Sequence, residues 1–209
     1  MSAQVIVVAG PSGSGKSRLC RRLHDGHGVP FVNLDDFYKD GDDPTLPRLT
    51  LAPGQEIVDW DDPASWDGAA ACEALETLCR DGVADLPVYD ISRDGRVGTS
   101  RTTLGGSTYV VAEGLFAQEV VAGLRERGVL ADAVCVRNHP LVTFWRRLTR
   151  DLREHRKPPL VLLRRGWLLM RAEPDVVAHA VSCGCVAMTP DEAYDRLSAL
   201  VTRAAQRSE

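Results

Sequence analysis

The sequence predicts an α/β fold, a parallel β-sheet flanked by helices, in a chain of 209 residues. Short apolar runs rich in β-branched residues recur along the chain, and segments with helical spacing separate them. Such runs are typical of parallel strands that are buried on both faces. Because a chain of this length fits one α/β domain, we expect residues 1–209 to form a single domain that carries a small inserted hairpin.

The first strand and the loop after it predict a site for a nucleoside triphosphate. The apolar run Val5–Ala9 leads into G-P-S-G-S-G-K-S at residues 10–17, and a helical segment follows. Strand, glycine-rich loop and helix in this order are the setting that a phosphate-binding P-loop requires. A plain glycine-rich turn is the less favoured alternative. The predicted nucleotide-binding residues are Gly10, Ser12, Gly13, Ser14, Gly15, Lys16 and Ser17.

Each residue type in this loop has a physical reason. The glycines let backbone N–H groups turn toward phosphate oxygens, and the following helix N-terminus adds positive potential. Lys16 is expected to reach the β- and γ-phosphates, and the Ser17 hydroxyl is expected to ligate Mg²⁺.

Acidic residues end two further predicted strands, where ligands bind in open parallel sheets. Residues 29–34 form a predicted strand that is followed by Asp35, and residues 109–112 form one that is followed by Glu113. Asp35 can coordinate Mg²⁺ or accept a proton from a substrate hydroxyl, and Glu113 can support the metal through water. A helix N-cap for Asp35 and a buried ion pair for Glu113 are the alternatives.

Two stretches between the strands predict a place for a second substrate. Residues 58–67 interleave Trp60 and Trp66 with four aspartates, which suits sugar hydroxyls held beside an aromatic wall. Helix capping by aspartates of this stretch is the alternative, and both can hold. Residues 86–97 predict a hairpin that turns at Asp94-Gly95, and a substrate flap at about 84–104 or a surface hairpin without a ligand both fit it.

The remaining segments predict the rest of the fold and a basic helix. Predicted strands lie at 131–136 and 184–188, a loop at 41–54, a chain break at Glu173-Pro174, and helices at 68–80, 116–127, 141–155, 160–171 and 190–207. Arg147 and Arg150 share one face of their helix, and forked guanidinium groups match phosphate geometry. We therefore predict a lid at about 145–160, with a solvated basic helix as the alternative.

Composition excludes several classes of protein. The formal net charge of -4 gives no reason to expect a nucleic-acid or membrane partner, and no apolar run reaches the roughly 18 residues of a membrane span. The chain begins without the basic segment of a signal peptide. Six cysteines without a C-x-x-C pair or zinc-site spacing predict reduced thiols in a cytoplasmic protein. A small-molecule substrate is expected, and a homo-oligomer is left open.

The motifs, in this order, resemble those of the uridine kinase family of P-loop nucleoside kinases, which is related to phosphoribulokinase and pantothenate kinase. The resemblance covers about residues 4–157. It rests on six short motifs: the loop at 10–17, D-D-F-Y at 35–38, the Asp-rich stretch 59–67, P-V-Y-D at 87–90, E-G-L at 113–115 and R-R-L-T-R-D at 146–151.

The resemblance implies transfer of the γ-phosphoryl group of ATP, with Mg²⁺, to the 5′-hydroxyl of a uridine- or cytidine-like nucleoside. The implied catalytic residues are Asp35, Lys16, Arg147 and Arg150, and the implied metal ligands are Ser17, Asp35 and Glu113. The implied substrate-binding residues are Asp61, Tyr89, Tyr38, Asp94 and Arg96.

The chain departs from the family pattern in the flap. A histidine five residues after the flap tyrosine is replaced by Asp94, and a phenylalanine two residues after it by Ile91. An acceptor in place of a donor predicts a base that bears an exocyclic amine, such as cytosine. Later lid arginines correspond to His155 and Lys157. Two other functions stay open: a kinase of another hydroxyl metabolite, such as a sugar or vitamin precursor, and a non-catalytic nucleotide-binding regulator.

Overall fold

A five-stranded parallel sheet lies at the centre of the computed structural model. The model describes the backbone of residues 2–52, 54–153 and 159–208, and side chains in these ranges except at 51–52, 147, 150–153, 159–165, 168–169 and 207–208. The strands are β1 (Gln4–Ala9), β2 (Phe31–Asn33), β3 (Arg48–Ala52), β4 (Gln55–Val58), β5 (Val83–Asp90), β6 (Gly95–Thr103), β7 (Tyr109–Glu113), β8 (Leu130–Val136) and β9 (Val186–Met188). The central sheet has the order β2-β7-β1-β8-β9, and its neighbouring strands are all parallel, which confirms the predicted fold class.

Helices cover both faces of this sheet. They are α1 (Lys16–His27), α2 (Gly68–Asp81), α3 (Val120–Glu126), α4 (Pro140–Arg153), α5 (Pro159–Ser182) and α6 (Pro190–Ser208). Side chains of β1 alternate between two apolar clusters: Val5 and Val7 pack with residues of α2 and α3, and Ile6 and Val8 pack with residues of α1 and α6. All four are fully buried, as expected for the central strand of a parallel sheet.

Two antiparallel hairpins lie outside the central sheet. Strands β5 and β6 form the predicted hairpin, and Asp94 at its turn has the left-handed φ of 46° that such a turn needs. The prediction of a loop over residues 41–54 was wrong, because β3 lies there and pairs with β4. Leu49 lies opposite Ile57 in that hairpin, and both side chains are exposed, so no buried face marked these strands in the sequence.

The predicted chain break at Glu173-Pro174 was also wrong. Helix α5 continues through Pro174 to Ser182, although proline removes one backbone hydrogen bond inside a helix. The continuation is stabilised by packing, since Ala180 is buried in the core and Val177 packs against it. Glu173 is buried as well and accepts a hydrogen bond from the Thr143 hydroxyl of α4 at 3.3 Å.

Other boundaries differ by a few residues. The strand predicted at 29–34 is shortened to β2, because the Asn33 side chain accepts a hydrogen bond from the Asp35 N–H and begins a 3₁₀ turn at Leu34–Phe37. The helix predicted at 116–127 begins instead as a 3₁₀ turn, Ala117–Glu119, before α3. The last strand starts at Val186 rather than 184, because Gly184 has a positive φ.

Among the helices formed by residues 2–52, 54–153 and 159–208, none combines the length and the apolar content that crossing a bilayer demands.

Helix α6 begins with a capping box formed by Thr189 and Glu192. The Glu192 N–H donates to the Thr189 hydroxyl at 3.4 Å, and the Glu192 carboxylate accepts from the Thr189 N–H at 2.8 Å. This bond with the Thr189 N–H, together with one from the Thr189 hydroxyl, holds the pKa of Glu192 below its usual range. The two residues therefore satisfy backbone donors that the first turn leaves unpaired.

Replacing Thr189 by alanine is expected to lower the free energy of unfolding by about 1 kcal/mol, because the cap is lost. Chemical denaturation monitored by circular dichroism measures this change. Thr202→Ala, the same substitution at an exposed position within α6, is the matched control and is expected to stay within about 0.5 kcal/mol of the wild type. Equal stability of the two variants would contradict the capping role.

Candidate functional site

Three strand ends meet at one edge of the central sheet. The P-loop leaves the end of β1, and Glu113 at the end of β7 lies level with Val8 of β1. Asn33 at the end of β2 is level with Glu113 on its other side, and Asp35 follows two residues later. The sheet order therefore brings the loop and both predicted carboxylates together, as the strand-end prediction requires.

Glycine is required where the P-loop leaves the strand. Gly10 has a φ of 138°, and a Cβ on it would clash with the Val136 carbonyl oxygen of β8. Gly13 and Gly15 also have positive φ values, 85° and 104°, so the loop takes a backbone path that other residues rarely adopt. These conformations turn the loop around the start of α1, where the helix dipole favours anions.

Ser14 lies inside the loop. Its side chain is fully buried, its N–H donates to the Pro11 carbonyl at 3.1 Å, and its carbonyl accepts from the Asn138 side chain at 2.5 Å. Asn138 was not predicted as a site residue, although its place two residues after β8 is a signal of the same kind as the strand-end acids. Asn138 therefore helps to hold the loop from the β8 side.

Lys16 is a buried cation that faces the loop from the first turn of α1. Its Nζ donates to the carbonyl oxygens of Gly10 at 2.8 Å and Pro11 at 3.3 Å. Burial lowers the pKa of Lys16, while the carboxylates of Glu113 and Asp35 oppose that shift by favouring the charged form. The predicted phosphate-binding cation and the two predicted metal carboxylates therefore interact electrostatically.

Three potential metal ligands, Ser17, Glu113 and Asp35, are held at the same edge of the sheet as this lysine. The Ser17 hydroxyl donates to Glu113 Oε1 at 2.7 Å, and Asp35 Oδ1 accepts from the Leu115 N–H at 2.8 Å. A Cβ on Gly114 would lie 2.9 Å from Asp35 Oδ1, so the glycine allows the close approach. A hydroxyl with two carboxylates is the hard donor set that Mg²⁺ prefers, so these residues fit the metal that the sequence predicts.

An aromatic wall stands beside Asp35. The Tyr38 ring lies 5.8 Å from the rings of Trp60 and Tyr89 and 5.9 Å from Phe116, measured between centroids. Burial raises the pKa of Tyr38, and the carboxylates of Asp35 and Asp61 add to the shift. The phenol is thus a neutral group close to both predicted acids.

Trp66 is not part of this wall. Its side chain is buried in the core, and its indole N–H donates to the Leu34 carbonyl at 2.7 Å. The aspartates around it cap helices as the alternative reading predicted, since Asp62 accepts from the Ala64 N–H and Asp67 accepts from the Ala70 N–H. Only Trp60 of the two tryptophans reaches the predicted acceptor side.

The β5–β6 hairpin is attached to the loop after β2 by two carboxylates that sequence reasoning missed. Asp36 Oδ1 accepts from the Tyr89 N–H at 3.1 Å, and Asp40 Oδ1 accepts from the Arg96 N–H at 2.6 Å. Burial raises the pKa of Asp36, whereas the hydrogen bond from Tyr89 lowers it. The adjacent acidic pair in D-D-F-Y is the only sequence signal for the first of these bonds.

The remaining predicted acceptor residues lie around the hairpin. Asp94 is exposed at its turn and accepts from the Gly41 N–H through its carbonyl at 2.6 Å. The Arg96 guanidinium donates to the Tyr38 carbonyl at 3.3 Å and lies 3.8 Å from the Asp67 carboxylate. The structure thus brings Tyr38, Tyr89 and Arg96 together, while Asp94 lies at the exposed turn of the hairpin.

The basic lid is only partly described. Arg146 of α4 points toward the P-loop, since its Nη1 would lie 3.6 Å from a Cβ on Gly15. Arg147 and Arg150 belong to the same helix, but their side chains lie outside the described residues. His155 and Lys157 of the predicted lid also lie outside them.

A polar cleft of about 340 Å³ opens beside the P-loop. Residues of α1, α4, the end of β8 and the start of α6 line it, among them Gly15, Arg18, Asn138, Arg146 and Pro190. Its position next to the loop and its cationic side chains suit the remainder of a nucleotide whose phosphates lie on the loop.

Asp36→Ala is expected to release the hairpin locally, because the Tyr89 N–H loses a charged acceptor. Exchange of the Tyr89 amide proton, followed by NMR, is expected to become about tenfold faster. Asp42→Ala, at an exposed position of the same loop, is the matched control and is expected to leave this rate unchanged. An unchanged rate in Asp36→Ala would show that the bond does not hold the hairpin.

Known proteins resemble this chain over most of its length. The model of the Phosphoribulokinase / Uridine kinase family matches residues 5–157. Uridine kinase of Geobacillus kaustophilus (strain HTA426) is 30% identical over 155 residues, covering 72% of this chain and 68% of that protein. Uridine kinase of Saccharomyces cerevisiae is 26% identical over 156 residues, covering 71% of this chain and 29% of that protein.

A solved structure shows the same fold. D-glycerate 3-kinase from Cryptococcus neoformans var. grubii superposes with a TM-score of 0.53 at 15% identity, covering 84% of this chain and 78% of that one. The match of the family model over most of the chain, together with the P-loop and the order of the strands, leads to one conclusion. The chain belongs to the phosphoribulokinase / uridine kinase family, and it is an ATP-dependent kinase that acts on a small molecule.

Proposed function

We propose that this kinase transfers the γ-phosphoryl group of ATP to the 5′-hydroxyl of a pyrimidine nucleoside. The observation that carries the proposal is the place of Asp35 between the P-loop and the aromatic wall. Its carboxylate accepts from the Leu115 N–H at the sheet edge where the P-loop begins, and Tyr38 of the wall follows it by three residues. A base at this point can serve an acceptor that lies on the wall and faces the phosphates.

The P-loop side would hold ATP. Lys16 would donate to the β- and γ-phosphates instead of the carbonyl oxygens of Gly10 and Pro11. The negative charge of the phosphates would offset the free-energy cost of burying the ammonium group. The polar cleft would take the rest of the nucleotide beside Asn138. Ser17, Asp35 and Glu113 would hold Mg²⁺, which neutralises phosphate charge when bound.

The transfer step needs a base that accepts the hydroxyl proton and an acceptor oxygen that faces the γ-phosphorus. The acceptor hydroxyl gives its proton to the Asp35 carboxylate while its oxygen forms a bond to the γ-phosphorus. The bond from that phosphorus to the β–γ bridging oxygen breaks, and ADP leaves. Arg147 and Arg150 are proposed to stabilise the charge on the transferred group, with Arg146 beside the loop.

The aromatic wall supports a planar acceptor. Tyr38, Trp60 and Tyr89 offer ring faces and edges for a base, and Asp61 next to Trp60 offers a carboxylate for ribose hydroxyls. Asp94 at the hairpin turn would accept a hydrogen bond from an exocyclic amine, which favours cytosine over uracil.

A second acceptor class has one observation in its favour. Ile91, at the place of the family's second flap ring, is 71% exposed and supplies no aromatic surface. A hairpin that stacks a base less completely is compatible with another small hydroxyl metabolite, such as a sugar or vitamin precursor. A non-catalytic regulator is disfavoured, because Asp35, Lys16, Ser17 and Glu113 retain a connected arrangement.

ATP consumption with a panel of nucleosides, sugars and polyols tests the acceptor. Cytidine and uridine are expected to be consumed, with cytidine preferred, because Asp94 accepts from its amine. Asp94→Asn is expected to lower the cytidine-to-uridine ratio of kcat/KM about tenfold, since a charged acceptor is lost. Turnover of a sugar alone would support the second class, and no turnover of any compound would favour the regulator.

Asp35→Asn is expected to lower kcat by about 10²-fold or more, because an amide cannot accept the hydroxyl proton. The affinity for ATP without Mg²⁺, measured by calorimetric titration, is expected to change little, because Lys16 and the P-loop contact the phosphates. Asp25→Asn on the exposed side of α1 is the matched control and is expected to keep wild-type turnover. Near-normal kcat in Asp35→Asn would remove this residue from the role of base.

A further inference from the structure

A second cluster of metal-ligand side chains lies outside the kinase site. The His179 Nε2 atom is 2.6 Å from Glu119 Oε1 and 3.7 Å from Cys183 Sγ. All three potential ligand atoms lie within 4.8 Å of one another. The cluster brings one imidazole, one carboxylate and one thiol to a single point at the protein surface.

Local structure accounts for the convergence. His179 lies in the last turn of α5, and Cys183 is the first residue after the helix. The Cys183 N–H still donates to the His179 carbonyl at 3.0 Å, so the two side chains, four residues apart, share a face. Glu119 ends the 3₁₀ turn before α3. The buried Gln118 side chain donates to Glu119 Oε1 at 3.1 Å and orients the carboxylate toward the helix.

We propose that Glu119, His179 and Cys183 bind a divalent transition-metal ion of the Zn²⁺ class. Thiolate, imidazole and carboxylate are the three ligand types of protein zinc sites, and the thiol and imidazole disfavour Mg²⁺ and Ca²⁺. Tetrahedral Zn–N and Zn–S bonds place nitrogen and sulfur about 3.6 Å apart, which the observed 3.7 Å matches.

The carboxylate needs only a small adjustment. Its oxygen and the imidazole nitrogen form a hydrogen bond at 2.6 Å, whereas two ligands of one Zn²⁺ ion lie about 3.3 Å apart. The Glu119 and His179 side chains are 27% and 51% exposed, so the carboxylate can shift. The exposure also leaves water access to a fourth ligand position.

A surface ion pair explains less of the arrangement than a metal site does. An ion pair accounts for the contact of Glu119 with His179, but it does not require a thiol beside the imidazole. The other five cysteines, Cys20, Cys72, Cys79, Cys135 and Cys185, are all buried, and Cys183 is the one that is partly exposed. The thiol that reaches the surface is thus the one next to a histidine and a carboxylate.

The cluster joins the turn after β7, which lies next to the kinase site, to the end of α5. Glu119 follows Phe116 of the aromatic wall and Leu115, whose N–H binds Asp35, by only a few residues. A metal ion bound here would fasten the 3₁₀ turn after β7 to the end of α5. The site itself does not depend on which acceptor the kinase uses.

Titration of the chelator-treated full chain with Co²⁺, followed by competition with Zn²⁺, tests the proposal. We expect one equivalent of Co²⁺ with the charge-transfer absorption of a cobalt–thiolate bond, and displacement by Zn²⁺. Cys183→Ser is expected to abolish this absorption, and His179→Gln and Glu119→Gln to weaken binding by about tenfold or more. Metal-free circular dichroism verifies that each variant is folded.

His27→Gln is the matched control, because it makes the same substitution at the end of α1, away from the cluster. It is expected to bind Co²⁺ like the wild type. Absence of thiolate absorption in the wild type would overturn the proposal. Thiolate absorption that survives Cys183→Ser and His179→Gln, or that is lost in Asp35→Asn instead, would assign the ion to another part of the protein and would overturn the proposal as well.

Discussion

The hydrogen bond from the Leu115 N–H to Asp35 is the interaction on which the site depends. It joins the end of β2 to the end of β7, and the bond from Ser17 to Glu113 joins β7 to the P-loop in the same way. Because Gly114 has no Cβ, the carboxylate can approach the backbone closely. These two hydrogen bonds thus fix the position of the proposed base relative to the P-loop.

Holding charged side chains at this edge of the sheet has an electrostatic cost. A lysine and a glutamate are both nearly buried at the edge of an apolar core, where an isolated charge is strongly disfavoured. Their mutual attraction and the carbonyl oxygens of the P-loop offset part of that cost. Phosphate and metal supply the remaining charge partners in the proposed complex, so ligand binding and local stability are coupled.

Features that depend on neighbours in sequence were predictable. The P-loop, the acids after two strands, the hairpin that turns at Asp94 and the capping box of α6 all have signals within a few residues. Contacts between distant residues carry no such signal: Asp36 and Asp40 bind the hairpin, Asn138 binds the P-loop, and Glu119 meets His179 across 60 positions. The exposed β3–β4 hairpin and the passage of α5 through Pro174 likewise depend on pairing and packing that single positions do not reveal.

A crystal structure with Mg²⁺, an unhydrolysable ATP analogue and cytidine tests the central claim most directly. We predict that Lys16 Nζ leaves the carbonyls of Gly10 and Pro11 for phosphate oxygens. The same structure is predicted to show the cytidine 5′-hydroxyl within hydrogen-bond distance of Asp35 and the base against Tyr38 and Tyr89. Triphosphate bound away from Lys16, or a nucleoside that does not contact Asp35, would contradict the account.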